Sequence, residues 1–121
     1  YKNRMLDLQE LRHLPMIFLE KNTSTRRFMD EYLEGSGVHI LPEFELATSD
    51  MIVQFALRSL GVGCVVRDFA QEELNSGRLF ELRFNKMIPK RSVCIVYDSK
   101  ARLSTAARAL FEIIGVETAE L

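Results

Sequence analysis

The stretch Pro15-Met16-Ile17-Phe18-Leu19-Glu20-Lys21-Asn22-Thr23-Ser24 decides how this chain is read. A short run of consecutive apolar residues stopped by charge suits a strand buried on both faces, as strands of parallel sheets are. A helix should come next. From Thr23 or Ser24 onward, Phe28, Met29, Tyr32 and Leu33 recur at helical spacing, and Gly35-Ser36-Gly37 supplies the stop.

The same unit recurs downstream. Residues 43–47 read as a second strand, and Ser49-Asp50 as the N-cap of a helix that places Ile52, Phe55, Ala56 and Ser59 on one stripe, closed by Gly61 and Gly63. Residues 64–66 read as a third strand. Asp68 and Gln71 then stand at capping-box spacing before a short helix ending at Asn75-Ser76-Gly77. Residues 79–84 alternate imperfectly between apolar and charged, like a half-exposed connecting strand, and Pro89 breaks the segment after them. Val93-Cys94-Ile95-Val96-Tyr97 reads as a further apolar strand. Ser104 caps a last helix carrying Ala107, Leu110, Phe111 and Ile114 on one face, ended by Gly115. The first dozen residues read as a polar, irregular lead-in. Strands and helices alternating with short connections predict an α/β fold, a largely parallel sheet with helices on both faces in three layers.

Composition narrows the function. The chain has 121 residues, 47% hydrophobic and 27% charged, which suits one globular core. With 16 Lys and Arg against 17 Asp and Glu, its net charge of -1 offers no excess for neutralising a phosphate backbone. Cys64 and Cys94 lie inside apolar runs and read as buried, reduced thiols. No apolar segment approaches bilayer-spanning length and no basic leader precedes one, so no membrane partner and a cytoplasmic location are expected. The chain begins at Tyr1 without Met, and the expectation is that it is a fragment of something longer.

Two loops have the chemistry of a binding site. Asn22, Thr23, Ser24 and Thr25 leave a strand and open a helix, where hydroxyls and backbone N–H groups together suit an anion. The plain alternative is that one hydroxyl caps the helix while Arg26 and Arg27 are solvated. Thr48, Ser49 and Asp50 hold the corresponding place after the next strand, and open α/β sheets bind ligands at the carboxyl ends of their strands. Here too the plain reading is an N-cap. Arg67 and Asp68, after the third strand, would extend the same edge or lie on the surface.

For catalysis the inventory is thin. Neither His13 nor His39 adjoins a Ser or Cys in an activating context, and no nucleophile elbow, metal-ligand spacing or phosphate loop is present. Gly61-Val62-Gly63 precedes its strand, the reverse of a dinucleotide fingerprint. No enzyme activity, metal or cofactor is expected.

Leu14-Pro15-Met16-Ile17-Phe18-Leu19-Glu20, Ser24-Thr25-Arg26-Arg27, residues 45–49, Leu60-Gly61-Val62-Gly63, Glu72-Glu73-Leu74, Gly77-Arg78-Leu79 and Leu103-Ser104 with Ala106-Ala107-Arg108 succeed one another in an order and spacing that resembles the effector-binding domain of LysR-type transcriptional regulators. The match runs from about Leu6 to Ile114. It implies a type II periplasmic-binding-protein-like fold with an incomplete first lobe. Residues 1–12 would lead in from the first lobe, 13–90 would form the second lobe, 91–115 would return to the first, and 116–121 would be a tail. It further implies a small-molecule effector, polar or anionic and often a carboxylate, in the cleft between lobes. Asn22, Thr23, Ser24, Thr25, Val66 and Arg67 are the residues it places there, and the sheet-edge argument adds Thr48 and Ser49. DNA would be bound only through an N-terminal winged helix-turn-helix that this chain lacks, in a dimeric or tetrameric parent protein. Connectors near Arg12 and over residues 84–89 are the expected hinges. Two other readings stay open: the solute-binding protein of a transporter, which shares the fold, and a small α/β enzyme with Cys64 or Cys94 as nucleophile.

Overall fold

The computed structural model describes residues 1–91 and 95–115. It is a mixed α/β chain whose sheets are small and parallel, and it divides into two compact units, Tyr1–Pro89 and Lys90–Leu121.

In the first unit, β1 (Met5–Leu6) is followed by a 3-10 turn over Leu8–His13. The Asp7 side chain accepts from Gln9 N–H, and Glu10 reaches back to Asp7 N–H, a reciprocal cap. Leu6, Leu8 and Leu11 are buried. The first dozen residues are therefore folded, not an irregular lead-in. Their polar appearance came from the exposed Lys2, Asn3 and Arg4 and from the exposed face of the 3-10 segment.

Next come β2 (Met16–Leu19), α1 (Ser24–Gly35), β3 (Phe44–Leu46), α2 (Ser49–Leu57) and β4 (Val62–Gly63). The three strands form one sheet in the order β3-β2-β4, with Leu19 opposite Leu46 and Ile17 opposite Gly63. All of β2 is buried, as a central parallel strand requires. Met16 and Phe18 pack in one cluster with Met29, Leu33 and Val38 from α1 and its exit. Ile17 and Leu19 pack in another with Ile52 of α2. The period-two alternation of a strand thus serves two helices at once.

α1 ends as its sequence predicts: Gly37 takes φ 72, and Val38 N–H donates to Leu33 carbonyl at 2.8 Å while both side chains are buried. α2 ends differently. Ser59, at φ 59, holds the left-handed position, Ser59 N–H returns to Ala56 and Leu60 N–H to Phe55. Gly61 and Gly63 are not its stop. They make room: a Cβ on Gly61 would stand 2.4 Å from the Pro15 carbonyl oxygen, and one on Gly63 would stand 2.7 Å from Ile52 Cγ2.

The third strand is accordingly earlier than residues 64–66, because Gly63 sits within the ladder and Val62 N–H donates to the Pro15 carbonyl at 2.8 Å. Residues 67–70 form a 3-10 turn running into α3 (Gln71–Asn75). Asp68 lies inside that turn and makes no cap, so the expected capping box is absent. Of residues 79–84, only β5 (Arg83–Phe84) is a strand, paired in parallel with β1.

The second unit holds α4 (Thr105–Ile113), whose N-cap Ser104 accepts from Ala107 N–H at 3.1 Å. Gly115 takes φ 71 after its end. Tyr97 meets the buried Phe111 edge-on with ring centroids 5.5 Å apart. The apolar run expected to be a strand is not one at residues 95–97. No strand among the described residues pairs with it. Val93, Cys94 and the tail lie outside the described residues.

Candidate functional site

Because β2, β3 and β4 run parallel and in register, their carboxyl ends lie along one sheet edge. Residues 20–23 leave β2, residues 47–48 leave β3, and residues 64–66 leave β4. The structure therefore sends the three segments carrying Asn22 to Thr25, Thr48 and Ser49, and Val66 and Arg67 out from the same edge.

Two of the expected site residues, Thr23 and Thr48, have a definite capping role. Thr23 is the N-cap of α1: its Oγ1 accepts from Arg26 N–H at 3.2 Å and donates to the Glu20 carbonyl at 2.9 Å. Asn22 and Ser24 are exposed, and Thr25 is half-buried. In the next loop the cap is Thr48, whose Oγ1 accepts from Met51 N–H at 3.2 Å. That corrects the expected cap at Ser49 or Asp50, which belong to the first turn instead. Val66 precedes the 3-10 turn without a side-chain cap, and exposed Arg67 lies 3.6 Å from Glu81. The two helix N-termini differ electrically. α2 carries Asp50 in its first turn and α1 carries no acid there, so α1 is the better terminus for an anion.

Arg26 overturns its expected solvation. It is 5% exposed and sits beneath the first loop. Its Nε donates to both Asp30 oxygens at 2.9 and 3.1 Å, and its Nη1 donates to Glu45 Oε2 at 3.0 Å and to the Leu19 carbonyl at 2.9 Å. The guanidinium carbon lies 5.1 Å from the centre of the Phe18 ring. Burial works to lower the Arg26 pKa, but the hydrogen bonds and charges of Asp30 and Glu45 outweigh it and raise the pKa. Two signals in the sequence pointed here. Asp30 stands one helical turn after Arg26, and Glu45 interrupts an otherwise apolar strand.

Arg26 also lines a cavity of about 200 Å³ with Lys21, Val38, Ile40 and Glu45, along the edge strand β3. None of Asn22 to Thr25, Thr48, Ser49, Val66 or Arg67 lines it.

Cys64 packs against the cluster under α1. Burial pushes its thiol from 9.0 up to about 11, with Arg26 opposing and Asp30 assisting, which keeps it protonated and poorly nucleophilic. No group of His, Cys, Asp and Glu among the described residues could hold a metal ion. Among the described residues no helix is long and apolar enough to cross a membrane.

The family model described as the LysR substrate binding domain matches residues 2–118. The chain is 24% identical over 115 residues to the RuBisCO operon transcriptional regulator of Acidithiobacillus ferrooxidans, covering 95% of this chain and 37% of that protein. It is 27% identical over 109 residues to the HTH-type transcriptional regulator YeiE of Escherichia coli strain K12, covering 87% of this chain and 36% of that protein. The chain thus spans a little over a third of the length of these curated relatives.

Proposed function

The chain belongs to the LysR substrate-binding domain family, and from that premise we propose that it is the effector-sensing part of a LysR-type bacterial transcriptional regulator. In this reading the β3-β2-β4 sheet with α1 and α2 is the three-layered second lobe of a type II periplasmic-binding-protein-like domain, and residues 91–115 return to the first lobe. The parent protein is cytoplasmic and oligomeric. It holds DNA through an N-terminal winged helix-turn-helix outside this chain.

The effector is a small polar or anionic metabolite, bound between lobes against Asn22, Thr23, Ser24, Thr25, Thr48, Ser49, Val66 and Arg67. The observation that carries this reading is the shared edge, where adjacent parallel strands deliver two hydroxyl-bearing helix starts at the same end of the sheet, one on each face. The first-turn N–H groups of a helix have no carbonyl partner within it, and a carboxylate with neighbouring hydroxyls answers them. Ligand acts by population shift. It must bind one lobe closure better than another, and connectors near Arg12 and over residues 84–89 absorb the change.

The test is a thermal-shift screen of small carboxylates and other polar metabolites on the full-length protein, followed by titration of Ser24→Ala/Thr25→Ala. Thr23 is left intact because it caps α1. Affinity for the stabilising metabolite should fall at least about tenfold, roughly the loss of one charge-assisted hydrogen bond. Unchanged affinity would overturn the site.

A further inference from the structure

We propose that Arg26 is a positioning residue for the loop of residues 20–25, fixing the geometry in which Asn22, Ser24 and Thr25 are presented to ligand. The proposal rests on the reading of that loop as part of the effector site, and it concerns what holds the loop rather than what the loop binds.

The loop is closed by one residue acting at both of its ends. Where it begins, Arg26 Nη1 donates to the Leu19 carbonyl, the last of β2. Where it ends, Arg26 N–H donates to Thr23 Oγ1, whose hydroxyl in turn reaches the Glu20 carbonyl. Thr23 N–H also donates to the Glu20 carbonyl at 3.1 Å, and Glu20 N–H donates to the Leu46 carbonyl of β3 at 3.0 Å. The path of the loop is thus defined at each of its turns, and the guanidinium is the piece that ties helix to strand.

That guanidinium is itself held from three sides: by Asp30 on its own helix, by Glu45 on the neighbouring strand, and by the face of the Phe18 ring. A planar fork with several fixed donors can satisfy a helix carboxylate, a strand carboxylate and a main-chain carbonyl together. A lysine ammonium, a single point on a flexible stem, cannot span the same set. Taking a guanidinium out of water is costly, and burying one beneath a polar loop has its return in a loop that is already in its binding shape.

The experiment is amide hydrogen exchange, read by mass spectrometry on the full-length protein, comparing wild type with Arg26→Lys. Lysine keeps the charge and much of the stem and loses the fork. The expected result is exchange about tenfold faster over residues 20–25, with the amides of β2 and α2 keeping wild-type rates. Loop exchange unchanged in a folded variant would overturn the proposal, and so would acceleration of loop and strands together, which marks only general destabilisation. Should Arg26→Lys fail to fold, Glu45→Ala carries the same test. It removes one anchor of the guanidinium without touching the loop, and the loop should again be the segment that loosens. No ligand enters this measurement. Failure of the effector reading shows separately, as unchanged affinity in the Ser24→Ala/Thr25→Ala titration.

Discussion

The hydroxyl of Tyr32 donates to the carbonyl of Met87 at 3.1 Å, fastening the last turns of α1 to the chain beyond β5. Beside it, Lys86 Nζ donates to Ser36 Oγ at 2.7 Å and lies 5.5 Å from the centre of the Tyr32 ring. Tyr32→Phe keeps the ring and removes the hydroxyl. Because the bond is solvent-exposed, the cost to global stability in urea should stay near or below about 1 kcal/mol. Amide exchange over residues 85–88 should quicken while that of β2 does not.

Gly63 of β4 and Gly61 just before it should tolerate no side chain. Gly61→Ala meets a backbone oxygen, which cannot turn aside, and Gly63→Ala meets the buried Ile52. Each should lower stability by about 1–3 kcal/mol in thermal or chemical denaturation, Gly61→Ala more than Gly63→Ala. Ser59→Gly should act in the opposite sense. It relieves a left-handed serine at φ 59 for a gain of roughly 0.5–1 kcal/mol after the added chain entropy of glycine.

Thr23 and Thr48 should each show as caps. Thr23→Ala and Thr48→Ala should each cost about 1 kcal/mol, and Thr23→Ser should recover most of the loss. Ser24→Ala should leave the melting temperature close to wild type. A Ser24→Ala loss equal to that of Thr23→Ala would contradict the assignment of the cap.

Cys64 should resist alkylation. A thiol at about 11 holds roughly 100-fold less thiolate at pH 8 than one at 9.0, so Cys64, followed in native protein carrying Cys94→Ser, should react with iodoacetamide about that much more slowly than a free thiol. The folded state keeps its proton to higher pH than the unfolded state does. The associated stability is therefore complete below about pH 9 and declines as pH rises toward 11. Urea midpoints at pH 8 and 10 should show the decline in wild type and less of it in Cys64→Ala.

β2, α1, β3 and α4 were legible in the sequence because each joins an unbroken pattern to a punctuation residue that does what it does elsewhere. The apolar run at Met16 needs a buried strand, and Thr23 and Ser104 cap the helices that begin just after them. Misreadings came where a residue served a long-range contact. Gly61 and Gly63 look like a helix stop in one dimension and are clearances in three. The first strand and turn were hidden because Leu6, Leu8 and Leu11 fit neither a strand nor an α-helical period, though Asp7 and Glu10 carried a capping box. At the candidate site, the loop residues were proposed from hydroxyl chemistry together with the family resemblance. The buried Arg26 beneath them was not, since an arginine in a helix's first turn usually faces water and its two marks, Asp30 a turn later and Glu45 a strand away, each read plainly as surface carboxylates.

The burial of every residue of β2 leaves a problem of alignment. A slip by one position would exchange Met16 and Phe18 with Ile17 and Leu19, and since all four are apolar, hydrophobicity would scarcely oppose it. Shape does. In the observed alignment the Pro15 carbonyl and the Ile17 side chain stand where a Cβ on Gly61 would be, and Ile52 stands where a Cβ on Gly63 would be. The sheet is keyed by missing atoms, as a lock is by the notches cut from its key, and a chain whose core is uniformly greasy still finds a single way to lie down.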